Sequence, residues 1–191
     1  MNSTQTDRIV EQSSIAPSAE LPVNVAAPTE QTPNFVEAMR VLATGVVILT
    51  VDVDGQPWGV TISSCSSLSA APPRLVCSLK SNSAAAAAIA SGDRFGINIL
   101  SAAQVDLAAS SAQPGTPKFL HPDVLIHRDN PEVATPQIAG ALYNLDCEVV
   151  SRVQIIEHDL VVGQVRWSNC GPEHDPLLYF NKSFRALARQ T

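Results

Sequence analysis

Residues 46–62, VVILTVDVDGQPWGVTI, decide how the chain folds. Residues 46–53 are apolar and β-branched, which favours a strand, and residues 58–62 return to an extended pattern. Between them lies Asp54-Gly55, a dipeptide typical of a tight turn. The sequence therefore predicts a β-hairpin at this point of the chain.

Four further strands are predicted downstream of the hairpin. Small residues at 63–71 and a stretch rich in proline and glycine at 112–140 predict loops instead. Because strands joined by tight turns outnumber helices, the predicted fold is mainly β, a barrel with flanking helices rather than a doubly wound parallel sheet. The strands are expected at 75–79, 94–100, 142–153 and 160–167, with a short element near 177–180.

Three helices are predicted around these strands. The first begins at Asn34, which is a suitable N-cap, and ends at Gly45. The second is the alanine-rich run 84–90, for which Ser83 is the expected N-cap. The third spans 102–111. Each is short, so we expect the helices to decorate the barrel.

The length of 191 residues and a hydrophobic content of 45% suffice for one core, so we expect a single domain at 34–191. Residues 1–33 are rich in Ser, Thr, Gln, Ala and Pro and show no apolar period. They are predicted to be a disordered N-terminal arm, and this interpretation is preferred over an arm that docks on a partner subunit.

The charge balance excludes several functions. A formal net charge of −6 disfavours binding to nucleic acid or to an anionic membrane. No apolar stretch approaches the roughly 20 residues of a membrane span, and no secretory signal is evident, so we expect a cytoplasmic protein. The four cysteines form no C-x-x-C pair, which predicts reduced thiols and neither a disulfide framework nor a zinc site.

Two polar segments could hold an anionic ligand. The first is TISSCSSLS (61–69), which closely follows Gly59, and the second is KSNS (80–83) at the predicted start of the alanine-rich helix. Hydroxyls and helix N-termini both bind phosphate. For either segment alone, a ligand-free loop or a simple helix cap is the plainer interpretation. The two together favour a bound ligand.

The four histidines show no spacing that predicts a metal site. His158 stands out because Glu157 and Asp159 flank it and would favour its protonated form. A histidine in a surface turn is the alternative. No Ser-His-Asp order or pair of carboxylates predicts hydrolysis.

Several segments together resemble the short-chain flavin reductases, the reductase partners of two-component flavin-dependent monooxygenases. The resemblance covers about residues 34–187. It implies a split β-barrel of the FMN-binding type with antiparallel Greek-key topology, usually a homodimer, that binds FMN or FAD and is reduced by NADH or NADPH. In chain order the segments are FVEAMRVLATGVVILT (35–50), GVTISSCSSLS (59–69), Pro72-Pro73, RFGINIL (94–100), LDCE (145–148), EHD (157–159), VGQV (162–165) and PLLY (176–179).

The resemblance also implies which residues hold the flavin. Ser110 and Ser111 stand where relatives often carry Arg-Phe, so a cation that faces the phosphate is expected to be missing, and Lys80 or Lys118 could compensate. The implied lining of the isoalloxazine and ribityl portions is Pro57, Trp58, Gly59, Val60, Thr61, Ser63 and Ser64. The implied contacts of the ribityl and phosphate end are Ser78, Leu79, Lys80, Ser83 and Ala84.

By the same resemblance, His158 and Tyr179 border the nicotinamide, although the Gly-Asp-His turn of the family is here Glu-His-Asp. The function implied is hydride transfer from NADH, or NADPH, to a flavin that then serves a monooxygenase. NADH is favoured because no cation cluster is committed to a 2′-phosphate. A flavin-binding electron carrier and an enzyme similar to pyridoxamine-phosphate oxidase remain the alternatives.

Overall fold

The computed structural model describes residues 35–127 and 130–187, so the predicted arm at 1–33 and the predicted N-cap Asn34 lie outside the described residues. The helices are α1 (Phe35–Arg40), α2 (Ala84–Ser91) and α3 (Val105–Ala112). The strands are β1 (Thr44–Gly45), β2 (Val47–Val53), β3 (Gln56–Ile62), β4 (Cys65–Ala70), β5 (Pro73–Lys80), β6 (Arg94–Ile99), β7 (Tyr143–Ile155), β8 (His158–Cys170), β9 (Leu177–Phe180) and β10 (Ser183–Ala186).

The predicted hairpin is confirmed as β2 and β3. Its strands pair antiparallel, and the register closes with Val53 opposite Gln56. Asp54 and Gly55 occupy the turn with φ of 52° and 75°, as a two-residue hairpin with two left-handed positions requires. Local sequence therefore sets the geometry of this part of the fold.

The main sheet has seven antiparallel strands in the order β3-β2-β6-β7-β8-β5-β4. Side chains from one face of these strands and from α2 enter a single buried cluster, which means that the sheet curls around its own core as a barrel. The predicted mainly β barrel with flanking helices is thus confirmed. The cluster includes Val47, Leu49, Val51, Leu75, Cys77, Leu79, Ala85, Ile89, Phe95, Ile97, Cys147 and Val161.

A second core lies on the outer side of β2. Ile48 packs there with Ala108 of α3 and with Leu120 and Ile138 of the long segment 112–140. The described residues of this segment form a loop as predicted, apart from a short 3-10 turn at Pro122–Val124. Four apolar side chains of the segment, Leu120, Val124, Leu125 and Ile138, explain why it is held against the barrel.

Two sequence predictions were wrong in detail, and one strand was missed. The first helix ends at Arg40, because Gly45 belongs to β1 and pairs with Leu178 of β9 in a separate three-stranded sheet. The predicted loop at 63–71 contains β4, since pairing with β5 outweighs the weak strand propensity of its serines. Strand β10, which pairs with β9, was not predicted. Within the described residues, no helix is long and apolar enough to span a membrane.

Candidate functional site

The N-terminus of α2 is formed as the sequence predicts. Ser83 is the N-cap, and its hydroxyl accepts a hydrogen bond from the Ala86 amide at 3.1 Å. The Ser83 amide donates to the Lys80 carbonyl at 3.0 Å, which ties the helix start to the end of β5. The first hydrogen bond along the helix runs from Ala87 to Ser83, so the N–H groups of Ala84 and Ala85 precede it and face the helix start.

Lys80 and His158 lie side by side at the ends of β5 and β8, where they are direct partners in the register. Successive strand residues point to opposite faces. Because Leu79 belongs to the barrel core, Lys80 and Ser78 lie on the outer face, and His158 shares that face. The structure thus brings together two predicted residues, Lys80 and His158, that are far apart in the chain.

Asp159 lies on the opposite face from His158 and is fully buried. Its carboxylate accepts two hydrogen bonds from Arg152, at 2.8 and 2.6 Å, and one from the Ser81 hydroxyl at 2.7 Å. Although the two residues are neighbours in sequence, the Asp159 carboxylate therefore points away from His158, because alternation along β8 directs it inward. Asp159 instead fixes the turn between β5 and α2.

Two further contacts connect the predicted segments. The Ser64 hydroxyl donates to the Ser78 carbonyl at 2.8 Å, and the Ser78 amide donates to the Ser64 carbonyl at 3.2 Å. Thr61 donates from its hydroxyl to the Ala108 carbonyl of α3 at 2.8 Å. The end of β3 is thereby joined to both β5 and α3.

The first half of β3 is covered by residues 118–120. The Gly59 amide donates to the Lys118 carbonyl, and the Pro57 carbonyl accepts from the Leu120 amide, both at 2.9 Å. Trp58 meets Phe119 edge to face, with ring centroids 4.9 Å apart. Val60 packs partly against the barrel core. By the alternation of an antiparallel ladder, the backbone groups of Thr61 point to the same outer edge as those of Pro57 and Gly59.

Ser110 and Ser111, at the end of α3, do not take the place of the cation that relatives often carry there. Ser110 donates to the Leu107 carbonyl within its own helix at 3.0 Å, and Ser111 is buried. The Lys118 ammonium donates to the Gln113 carbonyl at the end of α3. Of the two lysines considered as substitutes, Lys80 is therefore the one beside the α2 N-terminus.

A groove of about 510 Å³ opens beside β4 and contains the predicted residue Ser63. Thr44, which lines the groove, pairs with Tyr179 of β9, so Tyr179 lies next to its wall. Cys65 also lines the groove, and burial raises the pKa of its thiol to about 11. This thiol is consequently protonated at neutral pH.

Sequence reasoning missed two residues near these features. Arg152 holds Asp159 together with Ser81 of the predicted segment 80–83, and Arg74 lines the groove. A basic and an acidic residue on either side of the turn between β7 and β8 were a signal for the Arg152–Asp159 pair. Arg74 left no such signal, since its position depends on how β4 folds over β5.

Comparison with known proteins gives a consistent result. The family model for the flavin reductase like domain matches residues 39–188. The chain is 35% identical over 161 residues to the Rhodococcus opacus "4-nitrophenol 4-monooxygenase/4-nitrocatechol 2-monooxygenase, reductase component", covering 84% of this chain and 83% of the relative. It is 34% identical over 155 residues to "FMN reductase (NADH) RutF 2" of Methylorubrum extorquens, covering 80% and 88%.

A solved structure also resembles the fold. The flavin reductase domain protein from Arthrobacter sp. FB24 superposes with a TM-score of 0.73 at 28% identity, covering 82% of this chain and 96% of that chain. The match of the family model extends over most of the chain and includes β1 through β10. This chain belongs to the family of the flavin reductase like domain.

Proposed function

We propose that this protein is an NAD(P)H:flavin oxidoreductase that reduces FMN or FAD by hydride transfer and supplies the reduced flavin to a partner monooxygenase. The single observation that carries the proposal is the meeting of the α2 N-terminus, Lys80 and His158 at one corner of the barrel. Family membership and the names of the two relatives support the same activity.

The corner fits the phosphate end of a flavin nucleotide. The N–H groups of Ala84 and Ala85, which precede the first hydrogen bond along α2, and the positive end of the α2 dipole favour an anion. Lys80 adds a full positive charge within the same turn. This local arrangement answers how a chain with a net charge of −6 could hold a phosphate.

The isoalloxazine ring and ribityl chain are assigned to the end of β3 and the segment that follows it. Thr61 directs its backbone groups to the open edge, and Ser64 is fixed by its hydrogen bonds to Ser78. Pro57 and Gly59 already use backbone groups in contacts with 118–120, so we give them, with Trp58 and Val60, the role of an apolar wall. Ser78, Leu79, Ser110 and Ser111 complete the proposed surroundings.

The chemistry places few demands on the protein. A flavin held at this site would supply N5 as the hydride acceptor, and NADH would supply C4 of its nicotinamide as the donor, so the protein would need no acid or base of its own. The protein side chains need only to orient the two rings and exclude water. We assign the nicotinamide to His158 and Tyr179, and we propose NADH as the donor because a relative is named for NADH.

We further propose a single domain at 34–191 that forms a homodimer in the cytoplasm. Exposed apolar side chains on α1, including Phe35, Val36 and Met39, support a subunit interface. The four cysteines are all free, as suits a reducing compartment. Light scattering of the purified protein tests the dimer, and a mass close to 20.2 kDa would contradict it.

The activity test mixes purified protein with each pair of NADH or NADPH and FMN or FAD, and follows the loss of nicotinamide absorbance. We expect turnover with NADH to exceed turnover with NADPH. Absence of turnover with every pair would overturn the reductase proposal and favour the electron carrier. Adding a monooxygenase and its substrate then tests delivery, since hydroxylated product must appear only when reductase, NADH and flavin are all present.

A further inference from the structure

The turn between β7 and β8 contains a residue in an unusual backbone conformation. Ile155 and His158 are direct partners in the register, so Ile156 and Glu157 form a two-residue turn. Ile156 has a φ of 55°, in the left-handed region, where a β-branched side chain is strained. The other residues with positive φ in the described part of the chain are either glycines or lack a β-branch: Asp54, Asn181 and Lys182.

The type of turn makes glycine the expected residue at position 156. Only the first of the two central residues has a left-handed φ, which is the pattern of a type II′ hairpin turn. Such a turn normally has glycine at this position, since glycine has no Cβ to clash. The β2–β3 turn, in contrast, has Asp54 and Gly55 at its two left-handed positions. An isoleucine at 156 therefore destabilises its own turn.

Contacts on both sides hold the turn in this conformation. The side-chain amide of Gln154 donates to the Ile156 carbonyl at 3.2 Å, and the Ser81 amide donates to the Glu157 carbonyl at 2.9 Å. The Ser81 hydroxyl is bound in turn to the buried carboxylate of Asp159. Strained residues persist where the surrounding structure determines their conformation, and they concentrate at functional sites.

The side chain of Ile156 gains no packing that would offset the strain. It is 66% exposed, the largest exposed fraction among the large apolar side chains that the structure describes. A single exposed aliphatic residue is ordinary on a protein surface, but here the exposure coincides with backbone strain. The two observations together indicate that the side chain contacts a molecule outside the chain.

The position of Ile156 indicates which molecule this is. Ile156 lies two residues before His158, to which we assign the nicotinamide, and two residues of extended chain span at most roughly 7 Å. A ring beside His158 is therefore within reach of Ile156. The exposed carboxylate of Glu157 disfavours the pyrophosphate of a dinucleotide at this turn, whereas the aliphatic side chain of Ile156 suits the apolar face of a ring.

We propose that Ile156 packs against the nicotinamide ring of the donor nucleotide and strengthens the binding of NADH, and that its strained conformation is retained for this contact. The inference rests on the proposed function, because it requires the nicotinamide to lie beside His158. Ile156 is a binding contact and takes no part in the transfer of hydride.

The test compares Ile156→Gly with the unmodified enzyme in steady-state kinetics with FMN and in thermal unfolding. We expect the KM for NADH to rise about fivefold with little change in kcat, because only a binding contact is lost. The dissociation constant of FMN should stay the same. The midpoint of unfolding should rise by about 2 °C, because glycine relieves the left-handed strain. Weaker binding of NADH by a more stable protein excludes structural damage as the cause.

Two further variants serve as controls. Ile156→Leu keeps an apolar side chain, so its KM for NADH should remain close to that of the unmodified enzyme. Lys182→Gly is the matched backbone control, since Lys182 has a φ of 61° in the β9–β10 turn. It should also raise the midpoint of unfolding but leave the KM for NADH unchanged.

Reduced nicotinamide mononucleotide locates the contact, since it keeps the nicotinamide and lacks the adenylate half of NADH. We expect Ile156→Gly to raise its KM by the same factor. A rise that is seen only with NADH would overturn the contact with the nicotinamide ring.

The possible failures are distinguishable. If the unmodified enzyme oxidises NADH and Ile156→Gly has the same KM, the role of Ile156 is overturned while the reductase proposal stands. If the midpoint of unfolding falls in Ile156→Gly, the strain is not what that position costs, and the argument from strain is overturned. If the unmodified protein oxidises no NADH with either flavin, the reductase proposal fails and this inference fails with it.

Discussion

Two buried carboxylates, Asp146 and Asp159, lie toward opposite ends of the β7–β8 pair and have the same kinds of partner. Each is fully buried, each is paired with a partly exposed arginine, and each accepts a hydrogen bond from a hydroxyl. The difference lies in what they fix. Asp159 holds Ser81 in the short turn before α2, whereas Asp146 holds residues 134 and 135 of the long loop.

The comparison teaches that one ionic arrangement serves two purposes in this fold. At the Asp159 end, the fixed turn carries Lys80 and the start of α2, which we assign to the flavin phosphate. At the Asp146 end, the fixed loop lines a cavity of about 220 Å³ together with Trp167 and Asn169 of β8. Removing either carboxylate should destabilise the protein, but only the removal of Asp159 should weaken the binding of FMN.

The largest effect is expected for Asp146→Ala. The change leaves Arg94, the Ala134 amide and the Thr135 hydroxyl without their acceptor, so the free energy of unfolding should fall by about 3–5 kcal/mol in urea titrations. The folded fraction should keep its FMN affinity. Asp123→Ala, at an exposed position, is the control and should change stability by less than about 0.5 kcal/mol. A loss as small as the control's would contradict this account of Asp146.

Asp159→Asn should destabilise the protein less than Asp146→Ala does, but it should weaken the binding of FMN. An amide still accepts one hydrogen bond but loses the charge opposite Arg152, so we expect a loss of about 2 kcal/mol in the same titration. Because the Ser81 turn loosens, the dissociation constant of FMN should rise at 25 °C, as followed by quenching of flavin fluorescence. Reduced stability with unchanged FMN affinity would show that Asp159 does not support the flavin site.

Lys80→Met should leave stability almost unchanged and weaken FMN about tenfold, or about 1.4 kcal/mol, through loss of a charge-assisted contact to phosphate. Riboflavin, which has no phosphate, provides the matched ligand control and should bind both proteins equally. Lys182→Met is the control variant, since Lys182 is exposed. If riboflavin weakens as much as FMN, Lys80 does not contact the phosphate.

The smallest effect in free energy is expected for His158→Ala. The KM for NADH should rise by about fivefold, or about 1 kcal/mol, because only the nicotinamide loses a contact. The dissociation constant of FMN should change less. His174→Ala, on an exposed segment, should match the unmodified enzyme in steady-state kinetics. An unchanged KM for NADH would refute the role of His158.

Much of the fold could be predicted because its signals are local. The β2–β3 hairpin follows from Asp54-Gly55, and the start of α2 follows from Ser83 before an alanine run. Strand β4 could not be predicted, since its serines form a strand only through pairing with β5. Strand β10 depends in the same way on its partner β9.

The candidate site was predictable in its parts but not in its assembly. The resemblance pointed to Lys80 and His158 separately, and only the β5–β8 register makes them neighbours. The direction of the Asp159 carboxylate could not be predicted, because its sequence neighbours do not reveal which face of β8 is buried. The cavity lined by Gln137 and Trp167 was missed altogether, since it is built from a loop and the far end of β8.

The most direct test of the central claim is the crystal structure of the protein with FMN. The account predicts the phosphate within hydrogen-bond distance of the Ala84 and Ala85 amides, with the Lys80 ammonium beside it and His158 next to the exposed face of the ring. An FMN molecule bound elsewhere, with its phosphate away from the α2 N-terminus, would contradict the account.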